Sequence, residues 1–501
     1  MGRLQNSLFN ALTASGCRIL ELFFSIISRI IIIQVLGVEY LGISGLFANI
    51  LSLFSIAEMG FSYALVQVMY KPMAESDASK LASIVRYFRK IYLRVIGVII
   101  LMGMVFLPFI PHVIKDVGEI ENITIIYLIF LANFIAPYFV ADKKSLVIVA
   151  QKEYLLNIYG SGIKLVQIIL QLVVLYHTHN YILFIGVMLL ATLINNGVIV
   201  AKSNKMLNPA IRAPKLDRDT KATIKDNAKA LFINNVSGIV FSGTDNIIIS
   251  KFLGLVWTGI YTNYTSIIFA IRGFLLNGFS SISSSWGNYM SCKGIENQMI
   301  MYKRLLFLTH FVIILFGIDL LCLFNDFINL AYGKEYEASM VVVALVIMDF
   351  CISIFRYPTL ITRNVLGIFR YDRYKGIFEC AINLGLSLAL VGKWGLSGVM
   401  IGTVLGTGLV SLWIEPLMLY RHGFKKKAKE FWKFQAPYLL FFLFGMAGCL
   451  LFAQCISVNG WLLLIAKGIG VSILIAGSFL LAFRRTEEFQ YYVSLLHKRP
   501  R

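Results

Sequence analysis

Arg18, Glu21, Ser25 and Arg29 follow one another at i, i+3, i+7 and i+11 inside an apolar run that continues to Val35. That spacing sets them along one face of a helix. A charge at a bilayer centre costs from about 3 to more than 10 kcal/mol depending on the measure, so ions inside membrane helices face a cavity or a partner and mark function. Asp349, Arg356 and Arg363 are spaced by sevens and share one face of a later apolar run, while Arg272 stands in the middle of another. Arginine presents a fixed fork of donors that matches phosphate oxygens and never loses its charge, so several in one cavity point to an anionic substrate carrying phosphate or pyrophosphate. Arg18, Arg29, Arg272 and Arg356 are therefore the candidate substrate-binding residues. Glu21, Glu58, Asp245 and Asp349 are the candidates for ion coupling, either carrying a proton or neutralising the arginines between substrates. Lys164 and Lys467 are further buried cations, and Asp319, Glu379 and Glu415 read as ion-pair partners or helix-end charges.

The elements that must hold these residues are membrane helices. The 501 residues are 58% hydrophobic and only 14% charged, with a mean hydropathy of +0.77, outside the range of ordinary soluble domains. Apolar runs of about 20 residues, each long enough to cross about 30 Å of hydrocarbon, recur along the whole chain. We expect an all-α polytopic protein of about fourteen transmembrane helices. The expected plan is an N-lobe of six spans over 1–201, a basic linker at 202–226, a C-lobe of six spans over 227–420, two more spans within 421–483, and a basic tail at 484–501. The first apolar run lacks a small-residue cleavage site and is expected to be a retained helix, not a signal peptide.

The formal charge of +20 is explained by topology. Of the 46 lysines and arginines, 36 fall on one side of these spans, while Lys115, Lys251, Lys334 and Lys393 fall on the other. Such asymmetry in short loops places both termini in the cytoplasm. A nucleic-acid partner would need a basic face on a folded polar domain, and no stretch of this sequence offers one. The seven cysteines have neither a disulfide-framework pattern nor metal-ligand spacing, so neither a metal nor a cofactor is expected. No Gly-rich phosphate loop followed by Lys indicates direct ATP drive.

The chain repeats itself. Leu36-Gly37-Val38-Glu39-Tyr40-Leu41-Gly42-Ile43 returns as Leu253-Gly254-Leu255-Val256-Trp257-Thr258-Gly259-Ile260, at an offset of 217 residues. Gly60-Phe61-Ser62 returns as Gly278-Phe279-Ser280, and Pro137 has a near counterpart in Pro358. Shared order and spacing indicate duplication. Six spans per copy make the copies parallel repeats, a construction that suits rocking transporters. The same offset carries the Arg18–Arg29 stripe onto Asn235, Gly238, Ser242 and Asn246, again small or polar. Tyr40 and Trp257 suit belts at the outer interface. Pro137 and Pro358 free carbonyls in mid-membrane, as hinges or as kinks.

The stretch Leu36 to Lys80, with Leu36-Gly37-Val38-Glu39-Tyr40-Leu41-Gly42, Ala57-Glu58-Met59-Gly60-Phe61 and Tyr70-Lys71-Pro72-Met73-Ala74, resembles the polysaccharide transporter family. These are the Wzx-type flippases, in the superfamily that also holds multidrug and lipid II exporters. The resemblance implies a carrier in the bacterial cytoplasmic membrane that moves undecaprenyl-pyrophosphate-linked oligosaccharide units from inner to outer leaflet, for capsule, exopolysaccharide or O-antigen assembly. It further implies alternating access around a cationic cavity, ion coupling, and other polysaccharide-assembly proteins and membrane lipids as partners. It carries no short signature for the cavity residues, which rest on the helical-face argument alone. Two other readings compete. An ion-coupled multidrug exporter of the same superfamily would show a predominantly acidic cavity. A polysaccharide polymerase would present large outer loops with clustered His, Asp or Arg, whereas every outer loop expected here is short.

Overall fold

The computed structural model describes residues 16, 23–58, 61–115, 120–150, 152–206, 214–218, 220–222, 224, 243–292, 294–368, 371–372, 374–453 and 458–497. Among these no strand occurs, and eight helices are long and apolar enough to cross a membrane, alongside the shorter apolar helices Phe23–Leu36 and Glu39–Phe54. The protein is an all-α polytopic membrane protein. Its chain packs into two compact units, Met1–Thr262 and Asn263–Arg501.

The first unit opens with α1 (Phe23–Leu36) and α2 (Glu39–Phe54). The expected continuous span 40–69 is interrupted: α2 ends in a 3-10 turn, Ser55–Glu58, and helix resumes as α3 (Phe61–Ala74). The Ser52 and Ser55 hydroxyls donate to the Asn49 and Ser52 carbonyls at 2.7 and 2.6 Å, in competition with the helix ladder. Next come α4 (Ala78–Phe106), α5 (Ile123–Ile135), α6 (Ala141–Val149), α7 (Glu153–Thr178) and α8 (Tyr181–Asn204). Pro137 converts Ala136–Val140 into a 3-10 segment, and the buried Asn196 amide donates to the Ala136 carbonyl at 2.7 Å. At one end of this unit Met69, Leu81, Phe88, Tyr92 and Val149 form a buried cluster that also takes in Leu216 and Ile224 of the linker.

The two copies of the repeat meet within this unit. Helix α9 (243–253) and the start of α10 (Leu255–Cys292) form the second hairpin. Both hairpins turn on a glycine at positive φ, +102° at Gly37 and +95° at Gly254, a conformation that side chains resist. Their contacts are reciprocal under the 217-residue offset. A Cβ on Gly42 would strike the Leu255 carbonyl, and one on Gly259 would strike the Val38 carbonyl. Since 255 is the equivalent of 38 and 259 of 42, these are one contact made twice. Gly45 abuts Thr262, its own equivalent, so the pseudo-two-fold axis passes between them. Only glycine allows two backbones to cross this closely, the small-residue rule of membrane helix packing.

The second unit contains the remainder of α10, α11 (Ile295–Tyr332), α12 (Met340–Val365), α13 (Lys375–Leu409), α14 (Ser411–Met418), α15 (Lys429–Ala453), α16 (Trp461–Phe483) and α17 (Glu487–His497). Gly395, at φ +54° and ψ −133°, divides α13 into two arms. Gly398, Gly402 and Gly406 on the second arm lie against the Leu390, Ser387, Asn383 and Glu379 turns of the first. This small-residue stripe brings the arms to backbone contact and sets where the Glu379 side chain begins.

Candidate functional site

The candidate site in the second unit is a set of alternating charges on the membrane helices α10, α12, α13 and α14 and on the turn between α12 and α13. Arg356, on α12, is its hub. Its Nε and Nη2 donate to the two oxygens of Glu415 at 3.1 and 2.7 Å, and its Nη1 donates to Glu379 at 3.2 Å. Glu415 lies on α14 and is fully buried; Glu379 lies on α13 and also accepts from the Ser411 hydroxyl. Lys375, at the start of α13, pairs with Glu415 and, at 3.3 Å, with Asp372. Asp372 pairs in turn with Arg363, one turn beyond Pro358 on α12. Further along α12, Asp349 sits 3.6 Å from Arg272 of α10, whose guanidinium lies over the Phe269 ring at 4.7 Å.

Burial explains the arrangement. In the apolar interior an unpaired charge is expelled or neutralised, so each ion here is met by an opposite one. The bidentate Arg356–Glu415 fork is the strongest geometry available to such a pair. Neutral groups hold the scaffold around it: Asn383 donates to Thr403 at 2.9 Å, Ser387 to the Val399 carbonyl at 3.1 Å, and Trp286 to Thr362 at 3.1 Å. The network balances: Arg272, Arg356, Arg363 and Lys375 face Asp349, Asp372, Glu379 and Glu415. Two donors, Nε of Arg272 and Nε of Arg363, are buried with no acceptor among the described residues.

The structure thus gathers Arg272, Asp349 and Arg356 of the candidate residues into one unit and adds Glu379, Glu415, Lys375 and Asp372. Sequence spacing put Asp349, Arg356 and Arg363 on one helical face, and each reaches a different partner. Glu379 and Glu415 read from sequence as ion-pair partners, but nothing in the sequence matched them to Arg356. Lys467 pairs with Asp326 at 2.7 Å, tying α16 to α11, where Ser472 also donates to Asp319 at 2.6 Å.

In the first unit Arg29 lies at the crossing of the two hairpins. Its Nη1 donates to the Thr262 carbonyl at 3.5 Å, and Asn246, its equivalent at the 217-residue offset, donates to the Gly45 carbonyl at 3.5 Å. The polar stripe of the first repeat and its counterpart therefore perform the same act on each other's hairpin. Asp245, buried beside this crossing, accepts from the Tyr261 hydroxyl at 3.2 Å. Glu58, at the 3-10 end of α2, accepts from Tyr92 at 3.3 Å. Lys164 begins an amide ladder: it donates to Gln167 at 3.3 Å, Gln167 to Gln171 at 3.0 Å, and Gln171 to the Phe184 carbonyl at 2.9 Å. Arg18, Glu21, Asn235, Gly238 and Ser242 lie outside the described residues.

No protein-family model and no curated protein matches the chain. Solved structures do. The lipid II flippase MurJ in its inward closed conformation aligns with a TM-score of 0.65 at 16% identity, over 95% of this chain and 100% of that one. An inward-facing multidrug resistance MATE family transporter of the MOP superfamily aligns with a TM-score of 0.61 at 14% identity, over 89% and 100%. A MOP superfamily transporter from Pyrococcus furiosus, described as having a binding pocket of reversed polarity, aligns with a TM-score of 0.53 at 11% identity, over 83% and 94%. The helices, the duplication and the paired membrane ions of this chain are built on the fold those transporters share.

Proposed function

We propose that this protein is a flippase for polyprenyl-pyrophosphate-linked oligosaccharides, carrying them from the cytoplasmic to the outer leaflet of a bacterial membrane by alternating access. The observation that carries the reading is the Arg272–Asp349 and Arg356–Glu379–Glu415 network: guanidinium forks held ready in the membrane interior, each on a carboxylate that a phosphate can replace. The transporter fold and the local resemblance of Leu36–Lys80 support it. In this reading the 36-to-4 division of basic residues supports cytoplasmic termini and linker, which puts the Gly42/Gly259 crossing on the outer side, to part when the carrier opens outward.

Because the network is charge-balanced, an anion gains a net cationic site only when a carboxylate is protonated or swings away. Substrate binding is then linked to proton uptake or to release of a carboxylate from its arginine. The same balance favours one second reading, an ion-coupled exporter of cationic drugs, for which the four acids are the ligands. Pocket polarity separates the two; for the Pyrococcus furiosus transporter of this fold, reversed polarity of the binding pocket suggests a different function.

The test is leaflet exchange of a labelled polyprenyl-pyrophosphate oligosaccharide in liposomes, with wild type and an Arg272→Leu/Asp349→Leu variant that removes a pair without leaving an orphan charge. The expected result is rapid exchange by wild type, at least tenfold slower in a variant with an unchanged melting profile. Exchange no faster than in protein-free vesicles, under an imposed proton or sodium gradient, together with efflux of a cationic dye, would overturn the flippase in favour of the exporter.

A further inference from the structure

The second unit has a cationic rim that neither the ion network nor the proposed transport reaction uses. At one end of α15 and α16, Lys429, Lys433, Arg484 and Arg485 are exposed, and the half-buried Lys303 and Arg304 of α11 join them. These six come from three separate stretches of sequence and are gathered by an aromatic lattice. Tyr438 of α15 stacks on Phe483 of α16 with ring centroids 4.5 Å apart, and Phe307 of α11 meets Tyr438 at 6.0 Å and Phe479 at 5.5 Å. Lys303 lies over the Phe434 ring at 5.6 Å, and Arg304 over the Tyr491 ring of α17 at 3.6 Å, while the Tyr492 hydroxyl donates to the Arg304 carbonyl at 3.0 Å. The acids on the same rim are Glu430, Glu487 and Glu488, so cations outnumber them two to one.

Directly along the helices from this rim the surface turns apolar. Leu440 is 55% exposed, Phe444 75% and Leu481 67%. A patch of cations above an apolar strip matches one kind of molecule, an anionic lipid whose phosphate meets the cations and whose chains lie along the strip. Aromatic rings at that level suit the head-group boundary. Nucleic acid and acidic protein would use the charges but leave the strip bare.

We propose that this rim is a binding site for anionic diacyl phospholipid, which fastens α15 and α16 to the bilayer, and that it is separate from the substrate path. Topology alone requires basic residues on this side. It does not require Lys433, Arg484, Arg485 and Lys303 to converge from distant segments on one aromatic floor.

The experiment compares wild type with a Lys433→Gln/Arg484→Gln/Arg485→Gln variant. Both are reconstituted in nanodiscs of phosphatidylcholine containing phosphatidylglycerol, and retained lipid is counted by native mass spectrometry after extraction. Wild type is expected to keep phosphatidylglycerol over phosphatidylcholine, with affinity falling as salt rises. Losing three near-surface cations should weaken that binding on the order of a hundredfold, with helicity by circular dichroism unchanged. Equal retention by the variant, or no preference for phosphatidylglycerol in wild type, would overturn the site. A polyprenyl pyrophosphate that displaces phosphatidylglycerol from wild type but not from the variant would overturn the commitment to phospholipid and make the rim a substrate entry. Because leaflet exchange is read separately, failure here leaves the flippase reading standing.

Discussion

The two units of this protein hold polar groups in the membrane by different means. Among the described residues of the first, side-chain ties within the membrane helices are mostly neutral: Gln171 to the Phe184 carbonyl, Asn196 to the Ala136 carbonyl, Thr192 to Asn133 at 2.6 Å, Ser44 with Tyr181. The second adds ion pairs to its neutral ties: Arg272 with Asp349, Arg356 with Glu415 and Arg363 with Asp372. A neutral hydrogen bond in a bilayer is worth only about 0.6 to 1.7 kcal/mol, because the helix can find another partner when it is lost. A buried ion cannot do so, and removing its partner costs about 3 to 5 kcal/mol. The first unit is therefore tolerant of single polar losses, whereas the second depends on keeping its charges matched. The two prolines follow the same division. Pro137 breaks its helix into a 3-10 segment whose carbonyl an asparagine satisfies, while Pro358 stays within the uninterrupted α12 that carries the ions.

The contrast can be tested in order of expected effect. The largest belongs to Glu415→Leu, which leaves Arg356 with Glu379 alone and Lys375 with Asp372 alone, four cations facing three acids. Destabilisation of about 3 to 5 kcal/mol is expected, read as a lower melting temperature in detergent, and Arg356→Met in the same chain should recover much of it. No recovery would mean that the network acts through its geometry and not its charge balance.

Next comes the crossing. Gly42→Val or Gly259→Val drives a side chain into a backbone carbonyl, with an expected loss of about 1 to 3 kcal/mol. Because the contact is reciprocal, the two variants should match within error, and the double variant should cost less than their sum. Clearly unequal single variants would contradict the two-fold relation.

Smaller still, Asn196→Ala and Gln171→Leu in the first unit should each cost about 1 kcal/mol. A loss as large as that of Glu415→Leu would erase the distinction between the units. Smallest is Glu75→Gln, which removes the surface pair with Lys71, whose side chains are 57% and 84% exposed. A change below about 0.5 kcal/mol is expected, and it calibrates the rest.

Much of this was readable before any coordinates. Hydropathy placed the helices because the bilayer acts on each segment separately, and the Leu36–Ile43 repeat located both hairpins because a glycine turn is a local necessity. The 217-residue offset also matched Arg29 with Asn246 before the structure revealed that each donates to the other's hairpin. The same reading ran 40–69 as one span, where short-range serine hydrogen bonds coincide with a break that apolar composition does not register.

What the sequence determined by itself is the class of molecule: its all-helical membrane fold, its duplication, and most of the ions that membrane burial forces into partnership, though not Lys375, Asp372 or Asp326. What only the tertiary structure decided is the partnership. Arg356 meets Glu379 and Glu415, which lie 23 and 59 residues away on other helices. Helical periodicity fixes the direction in which Arg356 points, but not which carboxylate stands there. That depends on how closely the arms of α13 approach at Gly402 and Gly406, a distance set by packing between segments.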